Sequence, residues 1–147
     1  MNRHTMALVA LTLSGTVVLA HGGVTNPAVM ARMDGMSAIA DSMKVLGGMA
    51  KGAVTFDAAT ANEAAGVIAV EAARIPVLFQ VEETDPKSEA KPEIWGNFED
   101  FTTKANALET VASDLSGSIE TADDLDGAMK ALGQNCQSCH GTYRIKK

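Results

Sequence analysis

Between residues 29 and 143, apolar side chains recur at alternating steps of four and three in four separate runs. The first is Val29, Met33, Met36, Ala40, Met43, Gly47 and Ala50, and the second Ala61, Ala65, Ile68, Ala72, Ile75 and Phe79. The third is Ile94, Phe98, Phe101, Ala105, Leu108, Ala112, Leu115 and Ile119, and the fourth Leu125, Met129, Leu132, Cys136, Cys139 and Tyr143. That spacing puts each run on one side of an α-helix, so the chain reads as four amphipathic helices with narrow apolar seams. No segment alternates as a strand would, and the fold class is all-α.

Capping chemistry agrees with these limits. Asn26-Pro27 supplies an acceptor and a fixed φ for a first turn, and Lys51-Gly52 a cation and a left-handed stop. Asp57 can cap the second helix, Pro92 sits in the first turn of the third, Ser116-Gly117-Ser118 breaks the chain, and Thr121-x-x-Asp124 resembles a capping box. Pro76 should kink or end the second helix near Ile75, and the polar stretch from Val81 to Lys91 reads as the longest loop. Short connections make consecutive helices antiparallel, giving an up-down-up-down four-helix bundle. Aromatic residues are only 4% of the chain and Trp95 is its one tryptophan, so the core lacks bulk that a large planar cofactor would supply.

The start of the chain is of a different kind. After Arg3 and His4 it is apolar from Met6 to Ala20 and ends in Val18-Leu19-Ala20, the pattern of a signal peptide cleaved after Ala20. The run is shorter than the roughly 20 residues that span a bilayer, so no membrane attachment is expected after cleavage. The expected division is a signal peptide over 1–20 and one domain over 21–147. Losing Arg3 leaves 11 basic against 18 acidic residues, a formal charge of −7. Nucleic acid is excluded as a natural partner, and the acidity could steer a basic redox protein.

Two cysteines in an exported chain would ordinarily suggest a disulfide, but Cys136 and Cys139 would close a loop too small to stabilise much. With His140 they occupy positions i, i+3 and i+4 of a helix, so all three project from one side of a single turn. Two thiols can add there to the two vinyl groups of one haem while the imidazole reaches the iron, which is c-type attachment. A structural zinc site needs four ligands, and beyond this motif the mature chain offers only His21. A thioredoxin-like dithiol should open a helix after a strand, not close one.

The motif lies near the end of the chain, whereas in the commonest small soluble cytochromes it lies near the start. With Arg32, Lys51-Gly52, Phe56-Asp57, Pro92-Glu93-Ile94-Trp95, Phe101 and Cys136-x-x-Cys139-His140-x-x-Tyr143-Arg144 in order, the chain resembles class II cytochromes c, the cytochrome c' and c-556 family. The resemblance implies a bundle with one covalent haem c, held by Cys136 and Cys139 with His140 as proximal ligand. It also implies Arg144 beside the proximal face and Arg32 near the haem propionates. In such families the distal residue follows the early arginine by one turn, apolar in the c' type and methionine in low-spin members. Four residues after Arg32 stands Met36, the candidate second axial ligand. Met33 and Met43 share its seam, and an iron with no second protein ligand stays open as well.

Haem contacts are expected from Met33, Trp95, Phe98, Phe101, Leu132 and Tyr143, besides Arg32 and Arg144. The function that follows is electron transfer in the periplasm with redox proteins as partners, not enzymatic turnover, since a peroxidase would want a distal acid–base group. The alternative is a five-coordinate cytochrome c' that binds nitric oxide or carbon monoxide. A homodimer is left open by the slight apolar content of outer faces, such as Val45 and Val70.

Overall fold

Asn26 opens the first helix as its side chain accepts from the amides of Ala28 and Val29, at 2.9 and 3.0 Å. A computed structural model describes residues 22–146; the expected signal peptide, its cleavage after Ala20, and His21 lie outside the described residues. Helix α1 spans Pro27–Ala50, α2 Ala58–Leu78, the single turn α3 Glu93–Gly96, α4 Phe98–Leu115 and α5 Asp124–Tyr143. Among the four long helices, α1 packs on α2, α2 on α4, α4 on α5, and α5 on α1, closing a four-helix bundle.

The caps follow the residue chemistry. Gly52 takes a left-handed φ of 66° after α1 while its amide donates to Met49 O and that of Ala53 to Gly48 O, the paired bonds of a Schellman end. Asp57 accepts from the Thr60 amide. At α5 only the returning half of the capping box forms: Asp124 accepts from the Thr121 amide and hydroxyl.

Three expectations need correction. Helix α2 continues through Pro76 to Leu78, because a proline this near the end removes only one bond from a ladder that is already finishing. The third apolar run is not one helix. Asn97, at φ −141° and ψ 55°, separates α3 from α4, and Ile119 is buried beyond the end of α4.

The third correction concerns α1, whose buried residues are Val29, Arg32, Gly35, Ile39, Ser42, Leu46 and Met49. The methionine run is displaced by about one residue from that core face. Met33, Met36, Ala40 and Met43 line a cavity, while Met36, Met43 and Ala50 also pack against the edge of the core, so α1 has two apolar faces where its sequence suggested one. The seams of α2 and α4 do meet in the core, through Ala61, Ala65, Ile68, Ala72, Ala105 and Ala112.

Candidate haem site

The cavity has a volume of about 600 Å³ and lies between the first half of α1 and the last two turns of α5. Cofactor sites of about 300–1,000 Å³ are usual, and apolar walls with a few placed polar groups are their common lining. From α5 the wall is made by Cys136, Cys139, His140 and Tyr143, and from α1 by Met33, Met36, Ser37, Ile39, Ala40 and Met43. Phe79, Ile94 and Phe101 close the inner end, and Ser88, Glu89, Ala90 and Arg144 form the rim.

Both thiols are free and half-buried, and that burial raises their pKa values above the ordinary cysteine range. His140 is the reverse case. Partial burial at the wall, reinforced by Arg144 and opposed by Glu89, lowers its pKa and favours the neutral imidazole that a metal requires. Two thiols and one imidazole thus face one apolar space, a donor set that fits a haem attached through two thioethers and one axial nitrogen.

The rim is tied by the long loop. Arg144 donates through Nε to Glu89 at 2.7 Å, and its Nη2 pairs with the same carboxylate oxygen at 2.6 Å. On either side, the Lys91 amide donates to Tyr143 O and the Ile145 amide to Glu89 O, forming an isolated antiparallel bridge. Asp85 of the same loop accepts from the amides of Lys87, Thr25 and Asn26, which hold its pKa down at about 2. The loop therefore fastens the end of α5 and the start of α1.

Tyr143 reaches past the cavity to donate its hydroxyl to Asp100 at 2.6 Å, and that bond pushes its pKa up to about 12. Its ring meets Phe101 edge to face, with centroids 5.4 Å apart.

Of the residues expected at the haem, Cys136, Cys139, His140, Met36, Met33, Arg32, Phe101, Tyr143 and Arg144 are brought to this cavity. Trp95, Phe98 and Leu132 are not on its lining. Leu132 is fully buried in the bundle core. Trp95 turns its indole N–H to Phe79 O at 2.8 Å, and Phe98 stacks on Phe101. Arg32 is buried rather than snorkelling to solvent. Its guanidinium donates to the carbonyls of Leu78, Val81 and Glu83 and lies 4.5 Å from the Phe79 ring centre. Burial lowers its pKa from the ordinary arginine value.

Ala40, one turn beyond Met36, was findable by helical spacing. Glu89 and Ser88 were not, since only the path of the loop brings them to the rim.

Comparison with known proteins agrees with this geometry. A family model described as Cytochrome C' matches residues 27–144. A cytochrome c-556 of Agrobacterium fabrum is 40% identical over 113 residues, which are 76% of this chain and 77% of that protein. A cytochrome c' of Rhodopseudomonas palustris is 30% identical over 97% of this chain and 99% of its own length.

Among solved structures, cytochrome c' from R. palustris superposes with a TM-score of 0.78 at 26% identity, covering 84% of this chain and 99% of that one. An NMR-validated structural model of oxidized R. palustris cytochrome c556 gives 0.75 at 28% identity, covering 84% and 99%. Cytochrome c' is itself one of the standard examples of the up-down-up-down bundle.

Proposed function

The chain belongs to the class II cytochrome c family, that of cytochrome c', and from this premise we propose that it is a periplasmic electron-transfer protein carrying one haem between His140 and Met36. A haem attached here supplies one-electron exchange between ferric and ferrous iron.

One observation carries the choice of Met36. A Cβ built on Gly47 of α1 would lie 3.4 Å from the terminal methyl of Met129 on α5. The two helices are antiparallel and each rises about 1.5 Å per residue, so positions equally far from that contact, in opposite chain directions, come level to within about one turn, the reach of the Met129 side chain. Eleven residues toward the start of α1 is Met36, and eleven residues toward the end of α5 is His140. By the same register Met43 comes level with Gly133, about two turns from the imidazole, and Met33 with Tyr143, within one turn of it, so the position one turn after Arg32 is what favours Met36 over Met33. Ala40 stands level with Cys136, where a small side chain leaves room beside the attachment site.

The remaining residues have distinct tasks. Cys136 and Cys139 would hold the haem covalently on α5, so its attachment would depend on one helix. The apolar side chains of Ile39, Phe79, Ile94 and Phe101 line the cavity and would exclude water from a haem held there. With Met36 and His140 as the residues that would hold the iron, the group would supply a one-electron site whose potential a Met/His pair raises. The α1 wall carries no histidine or carboxylate, and Arg32 is occupied by three backbone carbonyls, so no group stands there to move protons for peroxide chemistry. Export as the sequence suggests would place the protein among periplasmic redox partners. Among the described residues no helix is long and apolar enough to cross a membrane.

Absorption spectra of the purified holoprotein test this reading. Low-spin spectra in both oxidation states, without carbon monoxide binding, are the expected outcome. High-spin spectra with ready carbon monoxide binding would replace it by the five-coordinate, gas-binding alternative.

A further inference from the structure

The chain is acidic, yet after Asp126 it has no carboxylate side chain and four cations, Lys130, Arg144, Lys146 and Lys147. We propose that the exposed face of the last half of α5 is the electron-exchange surface, and that it docks an acidic patch on a redox partner protein. The inference rests on the electron-transfer reading above and adds the face and the sign of its partner. It reverses the expectation, drawn from net charge alone, of a basic partner.

Three observations converge on this face. First, Gln137, Ser138 and Gly141 are exposed, uncharged and interleaved with Cys136, Cys139 and His140, which line the haem cavity. Second, cations surround it. Lys130 is exposed on one side and Arg144 and Lys146 on the other, and Lys91 reaches in from the loop to donate to Thr142 O. Two nearby carboxylates are already engaged, Glu89 with Arg144 and Asp100 with Lys104 and Tyr143. Third, a groove of about 510 Å³ opens between Gln137, Gly141, Ile145 and Lys146, with His140 and the Arg144–Glu89 ion pair in its wall.

A carboxylate entering that groove would meet Lys146 beside the Arg144–Glu89 pair, close to the haem ligand. A helix C-terminus favours cations for its own sake, which accounts for Arg144. It does not account for Lys130 or for the lack of any acid across the intervening face. Fields from such a local patch steer partners over about a Debye length, so the patch can govern association although the whole molecule is oppositely charged.

The experiment follows oxidation of the ferrous holoprotein by two small reagents of opposite charge, hexacyanoferrate(III) and tris(phenanthroline)cobalt(III), as ionic strength is raised. The rate with hexacyanoferrate should fall roughly two- to fivefold between about 0.01 and 0.15 M, as the Debye length shrinks from about 30 to about 8 Å. Lys146→Glu should remove most of that fall, whereas Lys51→Glu, the same charge change at the far end of α1, should leave it in place. A rate with hexacyanoferrate that rises with salt, as the net charge dictates, would overturn the proposal. So would equal effects of the two variants. Failure to exchange electrons with either reagent would instead overturn the electron-transfer reading, and this surface with it.

Discussion

The guanidinium of Arg32 donates through Nε to the carbonyl of Leu78 at 2.9 Å, which makes an α1 side chain the cap for the end of α2. Its other nitrogens serve Val81 and Glu83 in the same way, so one residue satisfies three acceptors where the chain leaves the helix. Replacing it by alanine strands three part-buried carbonyls and removes charge-assisted bonds, and should cost about 2–4 kcal/mol in urea denaturation. Arg32→Lys should recover less than half, because one ammonium cannot span a three-carbonyl fork. A loss below about 0.5 kcal/mol for either variant would refute the capping role.

Asp85 gives a pH dependence with a definite sign. Bonds from the amides of Lys87, Thr25 and Asn26 hold its pKa at about 2, below the ordinary value of 3.8. Its contribution to stability is therefore complete above the unfolded-state value and disappears as pH falls through about 2. Comparing wild type with Asp85→Asn by thermal melts across that acid range should show the difference between them shrinking toward zero. A difference independent of pH would show that the carboxylate's charge is not what fastens the loop to α1.

Two glycines should respond oppositely to alanine. Gly47 lies within α1 and its added methyl would touch only the flexible tip of Met129 at 3.4 Å. Gly47→Ala should thus gain roughly 0.5–1 kcal/mol from helix propensity. Gly52 has open space around it but a φ of 66°, so Gly52→Ala should lose about 1 kcal/mol. Equal effects at both positions would contradict the assigned helix end.

Much of this was legible in the sequence, for reasons that differ by residue. The α2 and α4 runs were readable because their apolar positions face one core, and Asn26, Asp57 and Gly52 because capping is local chemistry. The haem motif was readable since its three residues share one helical turn. The α1 methionines misled as a core seam because periodicity detects an apolar face without saying what it faces. Trp95, Phe98 and Leu132 were assigned to haem for being large and apolar, yet Leu132 is buried in the core, Trp95 and Phe98 pack against it from either side of the break at Asn97, and none lines the cavity. The engagements of Arg32 and Glu89 depend on partners about fifty residues away and leave no local trace.

The rim pair Arg144 and Glu89 is part-exposed, with side chains 52% and 24% accessible, and such pairs contribute about 0–1 kcal/mol. Glu89→Gln should accordingly leave global stability within about 1 kcal/mol of wild type. The Ile145 amide, which donates to Glu89 O at 2.8 Å, should remain slow to exchange because that bond belongs to the backbone. Rapid exchange there in the variant would show that the ion pair, not the bridge, closes the rim.

The central claim is that Met36 faces His140 across the haem, and substitution read by absorption spectroscopy tests it most directly. Met36→Ala should convert a low-spin holoprotein to a high-spin form that binds carbon monoxide, while Met33→Ala and Met43→Ala retain the native spectrum. A Met36→Ala spectrum unchanged from wild type, or a conversion produced by Met33→Ala instead, would contradict the register that sets Met36 level with His140.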